Sequence, residues 1–147
     1  MSKVLLITGA TGKQGGSVID QILKDTSTSS SFTILAVTRD VNAASAKKLA
    51  EKSSSIKLIQ GNLDDCAGLF AAAKEAVNEP VWGVFSVQIS MGKGVTEAGE
   101  IKQGNDLIDE AVKNGVKHFV YSSVERGGEE RSWENTTNVK HFATKYQ

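Results

Sequence analysis

The run Gly9-Ala10-Thr11-Gly12-Lys13-Gln14-Gly15 sets three residues without a Cβ at every third position, directly after an apolar run and directly before a segment of helical period. A phosphate-binding turn between a strand and a helix needs that order. Gly9 permits the tight turn, Gly12 lets the backbone approach a phosphate, and Gly15 lets the helix pack on the strand. The first helical amides, unpaired within the helix, then face a diphosphate. The chemistry expected here is noncovalent capture of a dinucleotide.

The choice of dinucleotide falls to the end of the second apolar run, Thr38-Arg39-Asp40, where an adenosine ribose would lie. A carboxylate at the strand tip would hold both ribose hydroxyls and favour NAD. Thr38 stands there instead, followed by a guanidinium that can hold a 2′-phosphate and stack on the adenine, so the expected cofactor is NADP. Lys13 offers a second positive charge. Asp40 can still serve a ribose hydroxyl, which leaves NAD open, and an Arg39–Asp40 surface pair is the competing reading. After the third run, Asn62 and Leu63 fall at the adenine edge, while Asp64 and Asp65 also read as a turn and a helix cap. The fourth run ends in Phe85-Ser86-Val87-Gln88, placing Ser86, Val87 and Gln88 beside the pyrophosphate and the nicotinamide ribose.

A reductase of this design also needs a proton donor and a lysine that holds the ribose and lowers the donor's pKa. The fifth run ends in Tyr121-Ser122-Ser123, which puts Ser122 or Ser123 near a substrate, and His141 and Lys145 stand four residues apart on the last helical segment. The donor position therefore carries histidine. His141 can serve near neutral pH, although a lone helical histidine is more often structural. Cys66, at a helix start, has the helix dipole to lower its pKa, but reads better as a capping or packing residue. No metal site is expected.

These residues need a scaffold of alternating strands and helices. Strands are expected over residues 3–8, 32–38, 56–60, 81–87 and 117–122, mostly continuous apolar runs as in a parallel sheet covered on both faces. Helices are expected over residues 13–24, 43–52, 66–77 and 97–114, with a fifth over 138–147. The first carries Val18, Ile19, Ile22 and Leu23 as its apolar stripe; the fourth carries Ile101, Leu107, Ile108, Ala111 and Val112, and stops at Gly115. Residues 26–31 read as a surface loop. The fold class is α/β: one doubly wound parallel sheet in a single domain over residues 1–147. A five-stranded chain that stops in its fifth helix leaves its last strand without a neighbour, so a truncated form is expected, with a homo-oligomer formed through that open edge.

Seventeen Lys and Arg balance seventeen Asp and Glu, which argues against direct nucleic-acid binding or an acidic membrane surface. One cysteine cannot form an internal disulfide, and no apolar stretch reaches the roughly 18 residues of a membrane span. A cytoplasmic protein is expected, with the nucleus as a second location.

Five strings, GATGKQGG at 9–16, VTRD at 37–40, GNLDD at 61–65, GVKHFVYSSVERGG at 115–128 and HFATK at 141–145, together resemble the NmrA-like family of atypical short-chain dehydrogenases. The resemblance runs through the whole chain in order. It implies a Rossmann domain followed by a smaller substrate region, before which this chain ends. It further implies NADP(H) or NAD(P) binding at Gly9, Thr11, Gly12, Lys13, Gln14, Gly15, Arg39, Asn62 and Leu63, with Lys145 near the nicotinamide ribose. The family's usual tyrosine is missing. Some members act as redox-sensing partners of other proteins, such as transcription regulators, and others are NADPH reductases. A dinucleotide sensor with little turnover is the first expectation, and a reductase of a small carbonyl or unsaturated compound the alternative.

Overall fold

Side-chain alternation along the strands sets the layers. In β1 (Lys3–Ile7), Val4 and Leu6 enter one apolar cluster while Leu5 and Ile7 enter another. In β2 (Phe32–Thr38), Leu35 and Val37 join the first cluster, and Ile34 and Ala36 the second. Strands apolar on both faces require helices on both.

The computed structural model describes residues 2–25, 27, 31–89, 94–125 and 137–146. It adds β3 (Ile56–Gln60), β4 (Val81–Ser86) and β5 (His118–Tyr121). All pairings are parallel, in the order β3-β2-β1-β4-β5, the doubly wound arrangement expected from the sequence. Helices α1 (Lys13–Lys24) and α2 (Ala44–Ala50) cover one face through Ile19 and Leu49. Helices α3 (Cys66–Val77) and α4 (Glu97–Lys113) cover the other through Leu69, Phe70, Leu107 and Ala111. Most of the loop expected over 26–31 lies outside the described residues. Among those described, no helix is long and apolar enough to cross a membrane.

Two boundaries follow directly from local chemistry. Asp65 caps α3, its side chain accepting from the Gly68 amide at 2.9 Å. The end of α4 closes with Val116 N donating to Ala111 O and Gly115 N to Val112 O, both at 3.0 Å, the paired bonds of a Schellman stop.

Two expectations need correction. The buried face of α4 is Glu100, Gly104, Leu107 and Ala111, whereas Ile108 and Val112 are 40% and 75% exposed. The true stripe is thus rotated from the apolar one read in sequence, because a charged residue and a glycine occupy two of its positions. The last helix is short: α5 (Lys140–Ala143) passes at once into a 3-10 turn over Thr144–Tyr146. His141 and Lys145 therefore do not share one continuous α-helical face.

Candidate functional site

The glycine turn is held from below by Thr8. Its amide donates to Phe85 O at 3.0 Å, and its hydroxyl accepts from Val87 N at 2.8 Å while its proton is shared between Phe85 O and Val87 O, each at 3.2 Å. Thr8 thus leaves the strand ladder to lock the end of β1 to the end of β4. The next residue, Gly9, has φ +57, and a Cβ there would come within 2.8 Å of Val87 Cγ1. A Cβ on Gly15 would meet Gly9 O at 2.4 Å, so the turn and the first helical coil touch backbone to backbone.

Gly12 is the N-cap of α1, with no side chain to occupy the helix's free amides, and the first turn carries no acidic residue. Helix α4 differs: Thr96 Oγ1 accepts from Gly99 N at 3.0 Å. The start of α1 is therefore left open to an external acceptor, with the positive end of the helix dipole behind it. This cradle, which a Cβ at Gly9 or Gly15 would distort by clashing with Val87 or with the turn's own backbone, fits the bridging phosphates of a dinucleotide.

The turn opens into a cleft of about 490 Å³. Of the residues singled out in the sequence, Gly9, Thr11, Gly12, Arg39, Asn62, Leu63 and Val87 line it. Thr38 and Arg39 stand at the end of β2 in its wall. Arg39 is exposed and makes no ion pair among the described residues. Asp40 is occupied elsewhere, its carboxylate accepting from Asn42 N at 2.8 Å. Asn62 forms a turn, its Oδ1 accepting from Asp64 N at 2.7 Å, while still facing the cleft. The far wall comes from α4 and the segment before it, through Thr96, Gly99, Glu100 and Gln103, none of which sequence reasoning selected. Gln103 Nε2 donates to Asp64 Oδ1 at 2.7 Å and ties this wall to the loop after β3.

Other selected residues lie off the cleft lining, in two groups. Ser122 Oγ hydrogen-bonds Gln14 Oε1, joining the end of β5 to the start of α1. Ser86, Gln88 and Lys145 come together in the interior: Gln88 Nε2 donates to Ser86 Oγ at 2.8 Å, and Lys145 Nζ donates to Gln88 Oε1 at 3.3 Å. The same ammonium lies 2.7 Å from Glu100 Oε1. Lys13 is exposed. His141 is half-buried against Phe142, ring centroids 4.6 Å apart, and its Nδ1 finds no hydrogen-bond partner among the described residues. One sequence signal for Glu100 existed: a carboxylate at the 4-3-4 spacing that it, Gly104, Leu107 and Ala111 share.

Cys66 is a packing residue. It is 4% exposed, and its thiol donates to Leu63 O at 3.4 Å. Burial, reinforced by the Asp106 carboxylate, pushes the thiol up from 9.0 to about 11, so the dipole-activated reading does not hold. Between these values the unfolded thiol loses its proton first, so stability is full below pH 9 and falls as pH rises through 11. We expect alkylation at pH 8 to proceed only as fast as the chain opens, and the urea midpoint of wild type to drop relative to Cys66→Ala between pH 8 and 10.5. Alkylation at free-thiol rates in the folded chain would contradict this.

A parallel sheet in this order, with a glycine turn opening an uncapped helix at its carboxyl edge, defines a Rossmann-type nucleotide-binding domain. The chain belongs to the NmrA-like family, whose model matches residues 1–147. It is 36% identical to an NmrA-like family domain-containing oxidoreductase from Aspergillus hancockii, over 83% of this chain and 34% of that protein. Among solved structures, it matches a crystal structure of NmrA, a negative transcriptional regulator, in complex with NAD, at 25% identity and TM-score 0.62, over 84% of this chain and 34% of that one. A second NmrA structure, in complex with NADP, matches at 23% identity and TM-score 0.68, over 99% of this chain and 40% of that one. The chain spans about a third of the length of the curated relatives it matches.

Proposed function

We propose that this domain binds a nicotinamide dinucleotide, preferring NADP(H), and acts as a redox-sensing or regulatory binder with little turnover of its own. The observation that carries the reading is the open N-terminus of α1, capped by Gly12 without a side-chain bond and set at the floor of the cleft. Gly9, Thr11, Gly12 and Gly15 form the phosphate cradle, with the amides of Lys13 and Gln14 in the first turn. Asn62 and Leu63 border the adenine, and Arg39 takes the 2′-phosphate. The bound cofactor would supply hydride chemistry; this chain's share is to grip it and orient it.

Low turnover is favoured by the state of the candidate catalytic groups. Ser122 is engaged by Gln14, and Lys145 by Glu100 and Gln88. The solved NmrA neighbour is described as a negative transcriptional regulator, a role of the kind this reading assigns. The name of the Aspergillus hancockii relative favours the second reading, an NADPH-dependent reductase with His141 as donor and Lys145 near the ribose. Calorimetric titration of the chain with NADPH and NADP, alongside NADPH oxidation across a carbonyl panel, separates the two. Saturable binding below millimolar cofactor with flat oxidation traces is expected. Steady oxidation abolished by Lys145→Ala would establish the reductase, and absence of saturable binding would overturn both.

A further inference from the structure

Helix α4 brings to the cleft a side chain whose polarity is fixed before any ligand arrives. Gln103, in the second turn of α4, is half-buried and lines the cleft. Its Nε2 donates to Asp64 Oδ1 at 2.7 Å. A carboxylate only accepts, so the nitrogen of the amide must face Asp64, and flipping the amide would set two oxygens against each other. Asp64 is held in turn, its backbone amide donating to Asn62 Oδ1 at 2.7 Å. That bond fixes a second side-chain amide, because only the oxygen of Asn62 can meet an N–H.

Three cleft-lining residues, Asn62 and Asp64 after β3 and Gln103 on α4, thus form one linked set. Its unused ends are opposite in character. Gln103 keeps Oε1, an acceptor, and Asn62 keeps Nδ2, a donor; neither atom makes a hydrogen bond among the described residues. Leu63 stands between the two loop residues, lines the same cleft and packs on the core, so an apolar surface adjoins the polar ends. A flat ring with a donor and an acceptor on its edge suits such a wall. The cleft therefore carries a cation, Arg39, at the end of β2 and an oriented acceptor on α4.

We infer that Gln103 selects the base: oriented by Asp64, its Oε1 accepts from the exocyclic amine of adenine, while Asn62 Nδ2 donates to a ring nitrogen. This rests on the dinucleotide reading above and carries it from the phosphates to the purine. Deamination probes the assignment at a single substituent. It replaces the amine by a carbonyl oxygen, so hypoxanthine would set an acceptor against Gln103 Oε1 and leave both unpaired, a mismatch that costs more than the plain loss of one hydrogen bond.

The experiment titrates the full chain by calorimetry with NADPH and with reduced nicotinamide hypoxanthine dinucleotide phosphate, which share the 2′-phosphate, the diphosphate and the nicotinamide. Wild type is expected to bind NADPH about tenfold more tightly. Gln103→Met keeps the length and the helix propensity but offers no strong acceptor, and should weaken NADPH enough to bring the two ligands within about threefold. Asp64→Asn, close to isosteric, frees the Gln103 amide to turn and should narrow the preference in the same way; in a Gln103→Met background it should narrow it no further. It also carries the test if Gln103→Met does not fold. A wild-type preference under about twofold, equal losses for both ligands in Gln103→Met, or an Asp64→Asn effect that adds to it would each overturn the assignment and leave the dinucleotide reading in place. A wild-type chain that binds neither ligand would overturn the assignment together with that reading.

Discussion

Gly15→Ala is expected to lower stability by about 1 to 3 kcal/mol, the usual range for overpacking, and to abolish dinucleotide binding. The added methyl carbon would lie 2.4 Å from Gly9 O and 2.7 Å from both Gly9 C and Thr8 O. All three are backbone atoms, and Thr8 is pinned to the end of β4 by its amide and its hydroxyl. Relief therefore requires α1 to move off the sheet or the glycine turn to move off its cradle. The sign is diagnostic, because glycine to alanine in a helix interior ordinarily gains about 1 kcal/mol. Gly16→Ala is the internal control: its methyl would sit at 3.4 Å from Ala10 O, an ordinary contact, so it should be neutral or mildly stabilising. Urea denaturation of both variants with NADPH titration of the folded fraction decides the matter. A Gly15→Ala chain as stable as Gly16→Ala would show that helix and turn are not in backbone contact.

The parts of this site that belong to strand ends were legible in sequence, and the parts that belong to α4 were not. A strand buried on both faces leaves a continuous apolar run, so the ends of β1, β2 and β3, and with them Gly9, Arg39 and Asn62, could be located to within a residue or two. The glycine turn was legible because absence of a side chain is itself the signal. Helix α4 misled because Ile108 and Val112 outweigh Glu100 and Gly104 in any apolar periodicity, although the latter pair faces inward. A buried carboxylate makes sense only beside its cation, and Lys145 arrives from a different element late in the chain. The Ser122–Gln14 bond, 108 residues apart in sequence, was hidden for the same reason. Local pattern encodes which face is buried; it does not encode which two elements meet.

Arg39→Ala is expected to weaken NADP about tenfold while changing NAD by less than about twofold. The argument is one of available partners. Arg39 stands in the cleft wall with no ion pair among the described residues, and the neighbouring carboxylate of Asp40, the obvious competitor, is turned into a local bond with Asn42 N. A guanidinium left free at the end of β2 can bind a 2′-phosphate through charge-assisted hydrogen bonds worth about 1.5 to 3 kcal/mol. The lower end applies because Arg39 is exposed and solvent screens it. Screening supplies a second readout: the preference for NADP over NAD should shrink as salt rises from about 0.05 to 0.5 M in wild type and stay flat in the variant. Lys13 is exposed and outside the cleft lining, so Lys13→Ala should change the same ratio by less than about threefold. Equal losses for the two cofactors in Arg39→Ala would mean that the guanidinium touches the shared adenosine and not the phosphate that distinguishes them. The selectivity would then have to be sought on the α4 wall, where Thr96 and Gln103 face the same cleft.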